Sequence, residues 1–98
     1  MALPVKWSHK AKTTYENVID YLKANWTEKE IIKFVSRTES VIGAISYQPY
    51  LFNASSHKKI RKAVINKQNS LFYLVRESEI YLLRFWDNRM DPKKNEFR

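Results

Sequence analysis

The fold is decided by residues 60–86, which read IRKAVINKQNSLFYLVRESEIYLLRFW. Three runs in this stretch, at 60–65, 71–75 and 80–86, are rich in the β-branched and aromatic residues that favour strands. Short polar segments separate the runs, at 66–69 and at Glu77-Ser78. The pattern predicts three antiparallel strands that follow one another as a meander.

Two amphipathic helices are predicted ahead of these strands. The apolar stripe of the first helix, over residues 9–25, consists of Ala11, Tyr15, Val18, Ile19, Leu22 and Trp26, spaced by three and four. Thr27 and Glu30 then match a capping box, in which each side chain bonds a free backbone N–H of a new helix. The second helix follows almost at once and should end before Pro49, since the residue before a proline is unfavourable in a helix.

A short strand near Val5, a tight antiparallel helix hairpin and a three-stranded antiparallel meander predict an α+β fold with the helices on one face of the sheet. We expect one domain over residues 1–98, with a tail that frays from Asp91. Gly43 falls within the second helical pattern, where it predicts a point of close packing.

The composition limits the possible classes of protein. Ninety-eight residues, of which 44% are hydrophobic and 14% aromatic, are enough for one modest core. The absence of cysteine excludes disulfides, thiolate metal sites and a cysteine nucleophile. No ligand cluster for a metal is visible and no apolar run could span a bilayer, so the sequence predicts a soluble cytoplasmic protein without metal, cofactor or membrane contact.

The net charge of +8 is concentrated in the second half of the chain. Residues 57–98 contain eleven Lys/Arg against five Asp/Glu, whereas residues 1–56 contain seven against five. Clustered cations favour nucleic acid or an acidic protein as a partner, because neutralising phosphates releases counterions. A solvated basic face that only aids solubility remains the alternative.

Strict alternation along the last strand sorts its side chains onto two faces. Ile80, Leu82, Arg84 and Trp86 should share one face, and Tyr81, Leu83, Phe85 and Asp87 the other. Both faces are largely apolar, and the helix hairpin can cover only one of them. The sequence therefore predicts an apolar face that a partner covers, flanked by Arg61, Arg76, Arg84 and Arg89. The alternative places Arg84 and Trp86 merely at the rim of the sheet.

The order of elements is accompanied by a set of familiar residues. These are Trp7-Ser8, Tyr21-Leu22, Asn25-Trp26, Phe34, Pro49, Arg61, Leu71-Phe72-Tyr73 and the ending Phe85-Trp86-Asp87-Asn88-Arg89-Met90-Asp91-Pro92. Together they closely resemble the RelE/ParE family of bacterial toxins. The resemblance implies a growth-inhibiting toxin of a type II toxin–antitoxin pair, as used in plasmid stabilisation. It also implies a hetero-oligomer in which a cognate antitoxin holds the toxin inactive, with Phe85 and Trp86 as candidates for antitoxin contact.

The family contains two activities, of which the first is cleavage of mRNA in the ribosome by RelE-like members. That chemistry needs fixed cations at the scissile phosphate and a group that transfers protons. The candidates for contact with the target or with nucleic acid are Lys58, Lys59, Arg61, Lys62, Arg76, Arg84 and Arg89. Weak catalytic candidates are Arg61, Arg84 and Arg89, with His57 or Tyr73 for proton transfer. Beyond Arg89, where the resemblance leads us to expect a tyrosine, the chain has Lys93, Lys94 and Asn95, and then Phe97.

ParE-like members instead inhibit DNA gyrase and lack the nuclease residues. The missing acid–base group after Arg89 favours this activity over ribosome-dependent cleavage by elimination. Whether the chain is an enzyme is therefore left open. A non-catalytic module that binds nucleic acid or the antitoxin is a further alternative.

Overall fold

The helix hairpin packs against one face of a four-stranded sheet in the computed structural model, which describes residues 2–55 and 59–97. The elements are β1 (Val5–Trp7), α1 (His9–Asn25), α2 (Glu28–Tyr47), β2 (Arg61–Val64), β3 (Asn69–Arg76), β4 (Glu79–Asp87) and a short 3₁₀ turn (Pro92–Lys94). The predicted α+β fold and the bounds of both helices are confirmed.

The sheet has the strand order β1-β4-β3-β2. Strands β2, β3 and β4 form the predicted antiparallel meander. Strand β1 lies at the edge and runs parallel to β4, with Val5 opposite Ile80 and Trp7 opposite Leu82. The sheet is therefore mixed. The helix hairpin leads the chain from β1 at one edge to β2 at the other edge, and the meander then brings β4 beside β1.

The two helices begin in different ways. Ser8 is the N-cap of α1, and its Oγ accepts a hydrogen bond of 2.9 Å from the Ala11 N–H. Thr27 occupies the N-cap position of α2, and its carbonyl accepts from the Glu30 N–H at 3.0 Å. The Thr27 hydroxyl makes no capping bond in the described structure. The predicted capping box is thus right about where α2 begins and wrong about the side-chain bond.

Phe85 is at the centre of the core between the helices and the sheet. Its side chain is 1% exposed, and its ring centroid lies 5.8 Å from Trp7, 5.1 Å from Tyr15 and 6.3 Å from Phe34. Aromatic pairs at these separations add to the free energy gained by burial alone. One phenylalanine of β4 therefore joins β1, α1 and α2.

A β-bulge at Leu83 brings Phe85 to this position. Phe72 pairs with Arg84, but the next residue, Tyr73, pairs with Leu82, so Leu83 has no opposite partner in β3. An extra residue in one strand moves the side chain of every later residue in that strand to the opposite face of the sheet.

The predicted alternation along β4 is consequently wrong. Ile80, Leu82 and Phe85 all belong to the core on the helix side. Trp86 belongs to a second cluster with Phe72, and Leu83 packs beside it. The pattern of residues gave no warning, because both faces of β4 are apolar and a shift of one residue still buries hydrophobic side chains.

Helix α1 satisfies the backbone groups of the bulge. The Ser8 hydroxyl donates to the Leu83 carbonyl at 2.9 Å, and the Phe85 N–H donates to Thr14 Oγ1 at 2.9 Å. Buried backbone groups left without partners are costly. The hydroxyl groups of Ser8, the N-cap of α1, and of Thr14 thus supply hydrogen bonds that the interrupted pairing of β3 with β4 does not.

The C-terminal segment, for which we expected fraying from Asp91, has a short 3₁₀ turn and a packed aromatic residue. After the turn at Pro92–Lys94, Asn95 is 4% exposed, and the Phe97 ring centroid lies 6.5 Å from that of Phe72. The charged composition of the tail concealed this single aromatic anchor.

None of the helices in the described part of the chain is long and apolar enough to cross a membrane.

Replacing Thr14 by Val tests the support of the bulge. The isosteric change leaves the buried Phe85 N–H without its acceptor, so we expect the free energy of unfolding to fall by about 1–3 kcal/mol. Denaturant unfolding of Thr14→Val measures this loss. The control is Thr13→Val at an exposed neighbouring position of α1, which should change stability by less than about 0.5 kcal/mol. Equal effects of the two variants would contradict the role given to Thr14.

Gly43 offers a stabilising substitution, because the predicted close packing there is wrong. A Cβ built at Gly43 meets no atom within 4 Å, and the residue is an exposed position of α2. Gly43→Ala should therefore raise the free energy of unfolding by about 1 kcal/mol through helix propensity alone. The reverse change at the next exposed position, Ala44→Gly, should lower it by a similar amount. Thermal unfolding of both variants checks the pair, and a destabilised Gly43→Ala would show that the space is needed.

Candidate functional site

A groove of about 570 Å³ opens between the helix hairpin and the C-terminal end of β4. One wall comes from α1 and α2, the other from residues 66–69, at the turn between β2 and β3 and the start of β3, and from the end of β4 as far as Met90. The side chains that give the groove its chemistry are Tyr21, Trp26, Glu30, Lys33, Arg37, Lys67, Asp87 and Arg89; Arg84 also borders the groove, but its guanidinium lies on the other face of the sheet against Trp86.

The groove combines positive charge with exposed aromatic rings. Four of the side chains that give the groove its chemistry are lysine or arginine and two are carboxylates. Tyr21 is 44% exposed and Trp26 is 59% exposed. Such a surface suits a partner that brings negative charge together with apolar groups.

Hydrogen bonds fix the end of β4 against the connection between β2 and β3. Asn66 Oδ1 accepts from the N–H groups of Gln68 and Asn69, at 3.0 and 2.8 Å, which closes the turn locally. The Asn88 N–H donates to the Gln68 carbonyl at 2.7 Å, and the Ser70 hydroxyl donates to Asn88 Oδ1 at 3.0 Å. The backbone that precedes Arg89 is therefore held on the wall of the groove.

Arg89 is held by a carboxylate two residues before it. Its Nε donates to Asp87 Oδ1 at 3.0 Å and its Nη2 donates to Asp87 Oδ2 at 2.8 Å, a two-bond arrangement that fixes the guanidinium plane. These bonds hold the pKa of Asp87 below its ordinary value, although partial burial opposes the shift. They also raise the pKa of Arg89, and Tyr21 contributes to the same effect.

The ring of Tyr21 lies beneath the same guanidinium. Arg89 Cζ is 5.6 Å from the ring centroid, within the range of a cation–π interaction. Arg89 remains 57% exposed in this arrangement, so its charge faces the groove and solvent. The result is an oriented, accessible cation between a carboxylate and an aromatic ring.

Arg61, another candidate from the sequence, lies away from Arg89. Its Nη1 donates to the Phe52 carbonyl, and its Cζ is 4.8 Å from the centroid of the Tyr50 ring. Lys62, its neighbour in β2, is exposed on the opposite face of the strand. Lys59 is exposed and has a φ of 57°, in the left-handed region. His57 and Lys58 lie outside the described residues.

The other two arginines occupy further separate places. Arg84 lies on the face of the sheet away from the helices, with its Cζ 5.0 Å from the Trp86 ring centroid and its Nη1 3.1 Å from Glu96 Oε1. Arg76 is exposed at the opposite end of the sheet, beside the β3–β4 turn. The predicted single surface flanked by all four arginines is therefore wrong, because the bulge and the strand ends distribute them.

Tyr73, the tyrosine proposed for proton transfer, is a packing residue. Its side chain is fully buried and its hydroxyl donates to the Pro49 carbonyl at 2.9 Å. Burial raises its pKa, against smaller opposing effects of a backbone hydrogen bond and of Arg61. The two candidates for antitoxin contact are buried as well, since Phe85 is 1% and Trp86 is 5% exposed. Neither ring is presented to a partner in this structure.

Tyr21 and Asp87 line the groove, although neither was among the site residues predicted from the sequence. Tyr21 has a detectable signal, because it is an aromatic residue next to the apolar stripe of α1 and so must lie at the edge of the buried face. Asp87 has none, since only the bulge places it on the helix side of β4. No group of three potential metal-binding His, Cys, Asp or Glu side chains occurs within 2–55 and 59–97.

Several solved structures share the fold of this chain. No protein-family model and no curated protein matches the sequence. A chain of the chromosomal ParDE toxin–antitoxin system from P. aeruginosa is 17% identical with a TM-score of 0.73, over 88% of this chain and 96% of that one. A copper-bound mutant toxin from Helicobacter pylori is 20% identical with a TM-score of 0.62, over 89% and 96%.

A third similar structure is the YoeB dimer from Staphylococcus aureus, which is 20% identical with a TM-score of 0.58, over 86% of this chain and 94% of that one. At these identities the likeness shows the fold. The chain has the RelE/ParE fold, as the resemblance implied.

The pair of Asp87 and Arg89 predicts a specific titration. Because the folded-state pKa of Asp87 is depressed, the pair stabilises the protein above the ordinary carboxyl pKa of 3.8 and ceases to do so as the pH falls through the lower folded value. Carboxyl-carbon NMR should give a midpoint for Asp87 below 3.8 in the wild type and one closer to 3.8 in Arg89→Ala. Arg76→Ala, which removes a distant arginine, is the control and should leave the midpoint unchanged. An Asp87 midpoint that does not respond to Arg89→Ala would refute the pairing.

Proposed function

We propose that this protein is the toxin of a type II toxin–antitoxin pair and inhibits DNA gyrase by binding it. A cognate antitoxin forms a hetero-oligomer with the toxin and blocks the groove between the helix hairpin and β4. The protein acts as a binding partner in this mechanism, without a chemical step of its own.

The fold and the groove together support the toxin assignment. The similar structures include the ParDE TA system, a toxin and YoeB, and the likeness covers nearly nine-tenths of this chain. The groove presents four cationic side chains and the exposed rings of Tyr21 and Trp26. Surfaces of this kind are typical of recognition sites for an acidic protein segment.

Three arginines already bond other groups within the protein. This observation favours inhibition by binding of the target over cleavage of RNA, and the proposal depends on it. Arg89 is bonded through two nitrogens to Asp87, Arg84 pairs with Glu96, and Arg61 bonds a backbone carbonyl. A nuclease needs several cations converging on one phosphate beside a proton-transfer group. Among the described residues these three arginines lie at three different places, and Tyr73 is buried.

RelE-like cleavage of ribosome-bound mRNA remains the second candidate, because of Tyr21. Its ring lies beneath Arg89 in the groove, so that a phenol and a guanidinium are adjacent there. In a nuclease the hydroxyl of Tyr21 would transfer the proton while Arg89 neutralised the phosphate. Removal of that hydroxyl alone separates the two mechanisms.

Expression from an inducible promoter in a bacterial host tests the proposal. We expect early loss of thymidine incorporation with an SOS response, while methionine incorporation continues. Purified protein should inhibit supercoiling by gyrase, and Arg89→Ala should abolish both effects because it removes the oriented cation of the groove. Tyr21→Phe keeps the ring beneath Arg89 and should retain growth inhibition.

The matched control is Lys6→Ala, which removes an exposed cation of β1 outside the groove and should leave toxicity intact. All variants need equal expression and unchanged circular dichroism. Early loss of translation, together with loss of toxicity in Tyr21→Phe, would reject gyrase inhibition in favour of mRNA cleavage. Full toxicity of Arg89→Ala would show that the groove does not bind the target. The absence of a growth defect with the wild type would refute the toxin assignment.

A further inference from the structure

The face of the sheet away from the helices, called here the far face, has an apolar cluster of its own. Ile60, Phe72 and Trp86 form its buried centre, and Leu83 and Phe97 pack against it. The helix hairpin lies on the other side of the sheet and cannot cover these side chains. Burial of the cluster therefore requires something else to lie on the far face.

The cover is the chain's own C-terminal strap, defined as residues 91–97. Phe97 lies against the cluster, with its ring centroid 6.5 Å from that of Phe72 and an angle of 35° between the rings. Glu96, the preceding residue, accepts a hydrogen bond from Arg84 at 3.1 Å and forms an ion pair with Lys10 at 2.9 Å. One ring and one carboxylate thus fasten the strap to β4 and α1.

Several of the contacts that hold the strap lie at the surface. The side chains of Lys10 and Glu96 are 49% and 42% exposed, and ion pairs in such positions contribute little to stability. Phe97 is only partly buried, and Asp91 to Lys94 are exposed. Opening the strap exposes the buried Asn95 and separates Arg84 from its counter-charge, but it leaves the core on the helix side intact, so the strap can leave the far face as a local unit.

The contacts left behind define the chemistry of an occupant. Arg84 is 15% exposed and lies 5.0 Å from the Trp86 ring, so its charge is partly shielded from water and directed at the position of the Glu96 carboxylate. Lys10 reaches the same carboxylate from α1. Next to these two cations is the slot that receives the Phe97 ring. A carboxylate followed directly by an aromatic residue meets both features.

We propose that the far face is a docking slot for a protein segment in which an acidic residue precedes an aromatic one, and that the strap closes this slot until such a partner displaces Glu96 and Phe97. The strap is in this view an internal competitor, which lowers the apparent affinity for the partner by the fraction of molecules in which the slot is open. The slot is separate from the groove, and the proposal is independent of the toxin activity.

A peptide with the sequence of residues 94–98, Lys-Asn-Glu-Phe-Arg, tests the slot on the full-length protein. The readout is the indole N–H resonance of Trp86, assigned through Trp86→Phe. We expect millimolar peptide to shift this resonance in Phe97→Ala, with an apparent Kd at least about tenfold lower than in the wild type, because the competing ring is gone. Glu→Gln and Phe→Ala versions of the peptide should each bind more weakly than the parent.

A second strap variant and a control variant complete the test. Glu96→Gln weakens the strap at an exposed position and should also tighten peptide binding if Phe97→Ala fails to fold. Tyr50→Ala removes an exposed aromatic ring elsewhere and should bind the peptide as the wild type does. Equal affinities for the wild type and both strap variants, or no Trp86 shift in any of them, would overturn the proposal. A dimer that Phe97→Ala dissociates would also overturn it, since the strap would then occupy the slot of a second copy.

Discussion

The β-bulge at Leu83 is the constraint on which the rest of this structure depends. One unpaired residue in β4 directs Phe85 into the core between the helices and the sheet, and directs Arg84 and Trp86 to the far face. Bulges interrupt the hydrogen-bond ladder and need compensation. Here the hydroxyls of Ser8 and Thr14 supply it, through the Leu83 carbonyl and the Phe85 N–H. Helix α1 is therefore fastened to β4 by specific hydrogen bonds in addition to apolar packing.

The bulge also separates the two surfaces that we assign to recognition. Beyond Leu83, Asp87 comes to the helix side and orients Arg89 in the groove, while Arg84 stays on the far face against Trp86. Without the extra residue, Arg84 would project to the helix side, where the centre of the core is now occupied by the ring of Phe85. A charged side chain buried there would be strongly destabilising. The bulge thus reconciles an arginine in the middle of a central strand with a dry aromatic core.

The sequence predicts much of the fold, because several independent signals agree. The apolar stripes and Pro49 bound both helices, and polar turn residues separate the strands, so the order of elements follows directly. The site was predicted far less well. Strict alternation could not reveal the bulge, since Tyr81, Leu83 and Phe85 are as apolar as Ile80, Leu82 and Trp86. The predicted positions of Arg84, Trp86, Phe85 and Asp87 all depended on that alternation.

The partners of individual charges were equally hidden from the sequence. Asp87 and Arg89 are two residues apart, and their two-bond pairing exists because the chain turns at Asn88, which is fixed by Gln68 and Ser70. Glu96 meets Arg84 and Lys10 only because Phe97 anchors the strap on the sheet. In both cases a tertiary contact places a carboxylate on an arginine that composition alone presented as available. The basic character of the second half of the chain therefore overstates how much of its charge is free to meet a target.

A ligand that displaces the carboxylate of an ion pair must supply a new counter-charge. Arg89 and Arg84 favour different partners because only Arg84 imposes this requirement. Arg89 is largely exposed, so a ligand can approach its outer side while Asp87 still orients it, and binding need not break the pair. Arg84 is 15% exposed and enclosed between Trp86 and Glu96, so any ligand must first remove the carboxylate and then restore its charge. Leaving a shielded arginine without a counter-charge is costly. The groove can thus bind an acidic partner without losing its own ion pair, whereas the proposed slot on the far face selects a partner that imitates the strap.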